Sequence, residues 1–288
     1  MPFIIDQNLC IGCGSCIGNC PNRAIIRRGN QVLITDMCCD CGICKHYCGM
    51  AAISTGTSTA ELNNKKLHSA LKKKLALTKD IAAMKFADAI PEGVAAEDGL
   101  NFWCHICGDI FEGQGSPIYF TAQNSTCGGS LALGLGARSI DRDSFNAMVE
   151  ITTGQGGYFA SQELFTKGRS SFPLFPRVYG GLILGPLAQM KMPDMALFPV
   201  HGKQLCMIST AYAFDTGEIM TGNAGAGTCL GMVTIPFLEN KPVFSCGDHG
   251  GRMHMRLRDE EMLVCIPYRL MPGIAKNLDK TIFAAHEY

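Results

Sequence analysis

Residues 10–21 read CIGCGSCIGNCP, and the pattern returns at residues 38–49 as CCDCGICKHYCG. Cys10, Cys13, Cys16 and Cys20 keep the spacing C-x2-C-x2-C-x3-C, as do Cys38, Cys41, Cys44 and Cys48, displaced by 28 positions. Thiolates this close in sequence can wrap one corner of a metal cluster. Gly12, Gly14 and Gly42 let the backbone turn tightly there and aim amides at the sulfurs. A zinc ion takes four ligands, so two full nested quartets are more than a zinc site requires. Between the runs, AIIRRGNQVLITD alternates as a hairpin around Gly29-Asn30. After Cys48, AAISTGTSTAELNN reads as a short strand followed by a linker.

This nested spacing, with Pro21 after the first run, resembles the two-cluster bacterial ferredoxins over residues 1–56. The resemblance implies two 4Fe-4S clusters, with the fourth cysteine of each run reaching across to the other cluster. Cys10, Cys13, Cys16 and Cys48 would then hold one, and Cys38, Cys41, Cys44 and Cys20 the other. Gly49 stands where that family often has a second proline. Cys39 falls outside the quartet and reads as a small buried filler. A domain of this kind accepts and passes single electrons, so a redox partner protein or low-potential electron donor is expected.

Composition sets the remaining bounds. Of 288 residues, 25 are basic and 25 acidic, so no nucleic-acid footprint is expected. The start, MPFIIDQNLC, has neither the charged region nor the long apolar stretch of an export signal. The longest apolar runs, such as GGLILGPLAQM, fall short of the roughly 20 residues a membrane span needs. With 16 cysteines and no export signal, the expectation is a cytoplasmic protein whose thiols are reduced and in large part hold metal.

From residue 63 the texture changes, and residues 63–288 are expected to form a larger mixed domain, giving an α+β protein. NNKKLHSALKKKLAL places Leu67, Leu71 and Leu75 four apart behind an asparagine cap, an amphipathic helix with Lys65, Lys66, Lys72, Lys73 and Lys74 opposite. Strands are expected at KDIAAMKFADA, PIYFT, MALFPV, MVTIPF and EMLVCIP. Helices are expected at GGSLALGLGA, DSFNAMVEI and SQELFT. Cys206 and Cys265 sit in apolar runs and read as strand filler. The WCHICG pair, Cys104 and Cys107, reads mainly as core packing.

Three other cysteines stand beside glycines: Cys127 before Gly128-Gly129, Cys229 after GNAGAGT, and Cys246 before GDHGGRMHMR. Glycine permits the close approach of a ligand, and a helix starting after Cys127 would lower its thiol pKa. Asp248, His249, Arg252, His254 and Arg256 cluster after Cys246. There the arginines could hold an anionic group, and Asp248 or His249 could supply a proton.

The series SALKKKLALTKDIAAMKF, FWC, YFTAQNSTCGGSLALGLG, PRVYGGL and SCGDHGGR resembles the domain of unknown function 169 over about residues 63–280. Cys104, Cys127, Gly134, Cys229, Cys246 and Gly250 are the positions most like that family, and Cys107 looks like an addition. The family supplies no substrate, though it implies an anaerobic bacterium or archaeon. Three functions follow. The favoured one is an oxidoreductase whose ferredoxin domain feeds a pocket at Cys127, Cys229 and Cys246, with a substrate or a further metal or small-molecule cofactor there. The others are an adaptor docking a partner enzyme through the lysine helix, and a metal or redox sensor. A homo-oligomer is left open.

Overall fold

The computed structural model describes residues 3–7, 9–29, 31–35, 38, 42–55, 64–125, 135, 158–169, 175, 179–225 and 228–285. The chain divides into two compact units, Met1–Asn63 and Asn64–Tyr288.

In the N-terminal unit the two sequence repeats interlock. The first contributes β1 (Phe3–Ile5), α1 (Ser15–Gly18) and β2 (Ile25–Arg28); the second contributes β3 (Gln31–Ile34), α2 (Ile43–His46) and β4 (Ile53–Thr55). β1 pairs antiparallel with β4, and β2 with β3, so each ribbon joins one strand from each repeat. The hairpin expected around Gly29 is the β2–β3 pair. Phe3, Ile25, Val32 and Ile53 form the core with Cys16 and Cys44. Among the described residues this core, with Ile5, Ile17 and Ile34 packed against it, is small for a unit of this size, and small domains commonly draw folding energy from bound metal.

The C-terminal unit is built on a mixed sheet of eight strands. In chain order these are β5 (Ala82–Ala87), β6 (Ala95–Ala96), β7 (Ile118–Phe120), β8 (Gly181–Pro186), β9 (Met195–Val200), β10 (Thr221–Asn223), β11 (Val243–Ser245) and β12 (Met262–Pro267). Their spatial order is β10-β11-β12-β9-β5-β8-β7-β6. Among the described strands, the end pairs β6–β7 and β10–β11 are parallel and the others antiparallel. A parallel pair needs a crossover, and each has one: α4 (Trp103–Phe111) and α7 (Thr228–Glu239). α4 packs on β8 and β5, and α7 on β12 and β11. β8, β9 and β12 are buried almost throughout, which explains their nearly unbroken apolar sequence.

α3 (Asn64–Leu75) is the expected amphipathic helix, with Leu67, Leu71 and Leu75 buried. It packs with α9 (Met271–Asn277), which in turn packs on α6 (Gly202–Thr216). The side chain of Asn64, the first residue of α3, is engaged elsewhere: its amide donates to the Met190 carbonyl and its oxygen accepts from the Tyr268 hydroxyl at 2.5 Å. The expected cap position, residue 63, lies outside the described residues. α5 (Gln162–Arg169) matches the helix expected at SQELFT.

Two expectations are corrected. MVTIPF lies in α7, with Pro236 inside the helix; its β-branched residues favour a strand by propensity, and the need for a crossover between β10 and β11 overrides them. Cys206 lies in α6 and is exposed, so it is not strand filler. Cys265 is fully buried in β12 as expected. The helices expected at GGSLALGLGA and DSFNAMVEI fall almost wholly outside the described residues.

Candidate functional site

Each cysteine run enters its short helix through a left-handed glycine, Gly14 (φ 82°) before α1 and Gly42 (φ 74°) before α2. A side chain at 42 would also crowd the Phe3 ring, with Cβ 3.1 Å from Cζ. After Cys20 and Cys48 the chain takes a left-handed residue that is not glycine, Arg23 in one repeat and Ala51 in the other, both at φ 50°. That conformation costs about 1–2 kcal/mol per residue. It turns the next amide onto the thiol: Ala24 N donates to Cys20 Sγ at 3.2 Å, and Ala52 N donates to Cys48 Sγ at 3.3 Å. Hydrogen bonds of this kind stabilise thiolate charge and tune cluster potential. The Arg27 guanidinium donates to the Gly12 carbonyl and pins the first loop.

Cys10, Cys13 and Cys16 line a cavity together with Cys48 from the other run. The cavity is small, about 20 Å³, and partly open to solvent, with Ile5, Val32 and Ile53 as an apolar wall and exposed Tyr47 and Met50 in its lining. Burial, and then the neighbouring Cys10, Cys48 and Cys13, raise the Cys16 thiol pKa. The Ser15 amide and hydroxyl lower that of Cys13. Of the second quartet, Cys20 and Cys38 are half-buried and Cys44 is buried; Cys41 and Cys39 lie outside the described residues. No three His, Cys, Asp or Glu side chains converge on a single-ion site among the described residues. A cubane presents an iron at each of four corners, so its thiols need to surround a volume and not meet at a point. Four thiols from two runs around an apolar cavity, with an amide on Cys48, fit such a group.

In the C-terminal unit the segment after Cys246 folds back onto α4. Cys246 is exposed, and Gly247 (φ 78°) turns the chain into α8 (His249–His254). Asp248 is the cap of α8, its Oδ1 accepting from Gly251 N at 2.6 Å. Arg252 spends its guanidinium on backbone carbonyls, those of Cys246 at 2.7 Å, Glu261 at 3.1 Å and Arg258 at 2.5 Å. Arg256 holds Asp109 Oδ1 at 2.6 Å and lies 3.3 Å from His105 Nε2. Both arginines therefore shape the loop; His249 is exposed at the start of α8.

The contact with α4 is close. His254 stacks on Phe102 with centroids 4.1 Å apart and stands 6.1 Å from the His105 ring. Gly108 is required here, because a Cβ would come within 2.4 Å of the His254 carbonyl. Burial, and then His105, lower the His254 pKa below its ordinary value while Asp248 opposes them. Cys107 is fully buried, and its thiol pKa is raised well above the usual range by burial; it is core. Sequence reading missed His105 and Asp109. Their i,i+4 spacing on α4 was a signal, but only the fold brings Arg256 to them.

Cys229 is the second residue of α7, beside the β10–β11 end of the sheet. β7, from which the chain runs toward Cys127, lies near the opposite end; residue 127 itself is outside the described residues.

Asp248 offers a direct test of capping against acid–base work. Asparagine caps as well as aspartate, whereas alanine costs about 1 kcal/mol. We expect Asp248→Asn to melt with the wild type and Asp248→Ala to melt lower in thermal denaturation. Equal loss in both variants would show that the carboxylate charge, and not the cap, is what matters.

A small unit of interlocked repeats around a four-cysteine cavity defines a ferredoxin-type iron–sulfur domain. Residues 3–26 match the family model described as 4Fe-4S binding domain. A curated ferredoxin from Pyrobaculum islandicum is 38% identical over 66 residues, which is 22% of this chain and 62% of that protein. No solved structure matches the chain. The chain belongs to the DUF169 family, described as Uncharacterised ArCR, whose model matches residues 70–277. The N-terminal unit thus binds a 4Fe-4S cluster and serves iron–sulfur electron transfer. Among the described residues, no helix is long and apolar enough to cross a membrane.

Proposed function

We propose that the chain is a cytoplasmic oxidoreductase in which a two-cluster ferredoxin unit supplies electrons, one at a time, to a substrate or cofactor held at thiols of the C-terminal unit. The observation carrying this reading is the shared cavity of Cys10, Cys13, Cys16 and Cys48, which supports the crossed ligand sets and hence two 4Fe-4S clusters. Bound there, the clusters would store and pass single electrons. Cys38, Cys41, Cys44 and Cys20 would hold the second. The reductant is a low-potential electron-donor protein, and the oxidant is the bound substrate. Covalent tethering of the two units favours internal delivery, because it removes the diffusional search.

Cys246 and Cys229 are the thiols proposed to hold the substrate or cofactor that receives the electrons, and Cys127 joins them on its sequence setting alone. Arg252 braces the Cys246 loop, Arg256 holds it to α4, and His249 carries a proton. Anaerobic reductive titration of the full chain tests this. Two clusters take up about two electrons; a chain that also holds a reducible cofactor at these thiols should take up more, and a Cys127→Ala, Cys229→Ala, Cys246→Ala variant should return to about two. A wild type indistinguishable from that variant contradicts the reading.

A second reading, an adaptor for an acidic redox partner, is favoured by α3. Lys65, Lys66 and Lys73 are exposed along it, while Lys74 is taken up by Asp279 and the Ala275 carbonyl.

A further inference from the structure

The two repeats of the N-terminal unit correspond at a shift of 28 positions, and what they share is the frame around the thiols. Gly14 corresponds to Gly42, both left-handed, and Arg23 to Ala51, both at φ 50°. The amides of Ala24 and Ala52 then meet Cys20 and Cys48 at 3.2 Å and 3.3 Å. In the crossed assignment each ligand set therefore receives one such hydrogen bond, and these contacts do not tell the two sets apart.

Two side chains do, and both lie on the loop that carries Cys13. Ser15 Oγ stands 3.6 Å from Cys13 Sγ. A metal-bound thiolate has no hydrogen to give, so the hydroxyl is the donor there. Its counterpart is Ile43, which has none to offer. The Arg27 guanidinium donates to the Gly12 carbonyl, and a Cβ on Gly14 would come within 3.3 Å of its Nη2. The cation is thus held against the turn between Cys10 and Cys16. Its counterpart is Thr55, which is uncharged. Arg23 and Lys45 follow Cys20 and Cys44 of the other set, and both are exposed. Among the described residues, neither of their side chains is hydrogen-bonded to a cysteine loop as Arg27 is.

An electron taken up at a ligand set adds negative charge to it. A hydrogen-bond donor on sulfur and a cation in contact with the loop both stabilise that charge, and both are levers of cluster potential. We propose that Ser15 and Arg27 raise the reduction potential at Cys10, Cys13, Cys16 and Cys48 above that of the other set, so that the first electron settles beside Cys13. This rests on the crossed two-cluster reading.

The test is an anaerobic redox titration of the cluster-loaded full chain, followed by paramagnetic resonance. The wild type should be reduced in two one-electron waves. In a Ser15→Ala, Arg27→Gln variant the reduction equilibrium of one wave should weaken about tenfold, a fall of about 59 mV, while the other wave stays in place. Ser15→Thr, Arg27→Lys keeps the hydroxyl and the charge and should remain within about twofold of the wild type. Unchanged iron content in both variants separates lost tuning from lost cluster. Cys13→Ala, Cys48→Ala leaves the second set alone, and Cys38→Ala, Cys44→Ala leaves the first, which removes repulsion between two reduced clusters. The chain keeping the first set should have the higher midpoint. Equal midpoints in those two chains overturn the proposal, as do waves that move together or ignore the loss of Ser15 and Arg27. A wild type with a single one-electron wave contradicts the two-cluster reading instead; a fall of that wave in the Ser15→Ala, Arg27→Gln variant would still uphold the roles of these residues.

Discussion

Replacing Cys13 and Cys48 together by alanine should leave one intact 4Fe-4S cluster, whereas replacing Cys13 and Cys20 together should leave none. In the crossed arrangement the first pair belongs to a single cubane, so the other keeps all four thiolates. The second pair takes one thiolate from each cubane, and neither keeps its full ligand set. The readout is paramagnetic resonance of the dithionite-reduced protein, with about one spin per chain in the first variant and no four-iron signal in the second. The reverse outcome would mean that each run holds its own cluster. Partial iron release does not blur the result, because a cubane that loses a corner no longer gives the four-iron signal.

The other large effect is expected at Lys79, which is buried between the C-terminal elements. Its ammonium donates to Glu261 Oε2 at 3.0 Å and to the Arg256 carbonyl at 2.6 Å. Glu261 is itself buried and accepts from Arg258 N at 2.8 Å. Lys79→Ala would leave that carboxylate without its counter-ion and the Arg256 carbonyl without its donor. Breaking a buried pair in this way costs about 3–5 kcal/mol. For a unit of this size that lowers the melting temperature by on the order of 10 °C. Iron content should not change, because the cluster cysteines belong to the other unit. A melting temperature within about 2 °C of wild type would show that the pair contributes little. The pair matters to the site because Arg256, on the far side of the same carbonyl, anchors α8 to α4.

The ferredoxin unit was legible in the sequence because its chemistry is local. Ligand spacing, Gly14 and Gly42 all act within a few residues, and the repeat announces the two-fold plan. Even there, the left-handed Arg23 and Ala51 gave no sign, since neither residue type favours that conformation. In the C-terminal unit, α3 and the buried strands β5, β9 and β12 were readable from periodicity and apolar runs. α7 was not, because Val233, Thr234 and Ile235 signal a strand and only the parallel partner of β10 demands a helix. The hydrogen-bond partners of Asp248 and Arg252 were not readable for a similar reason. Charged residues after a glycine turn suggest a ligand cradle, and only coordinates reveal that a cap and three carbonyls take them up.

The most direct measurement is paramagnetic resonance of the full chain, purified without air and reduced with dithionite. Two clusters held by interlocked repeats should give a spectrum broadened by their mutual interaction and integrating to about two spins per chain. A narrow signal of about one spin, or a colourless and silent protein, would contradict the account.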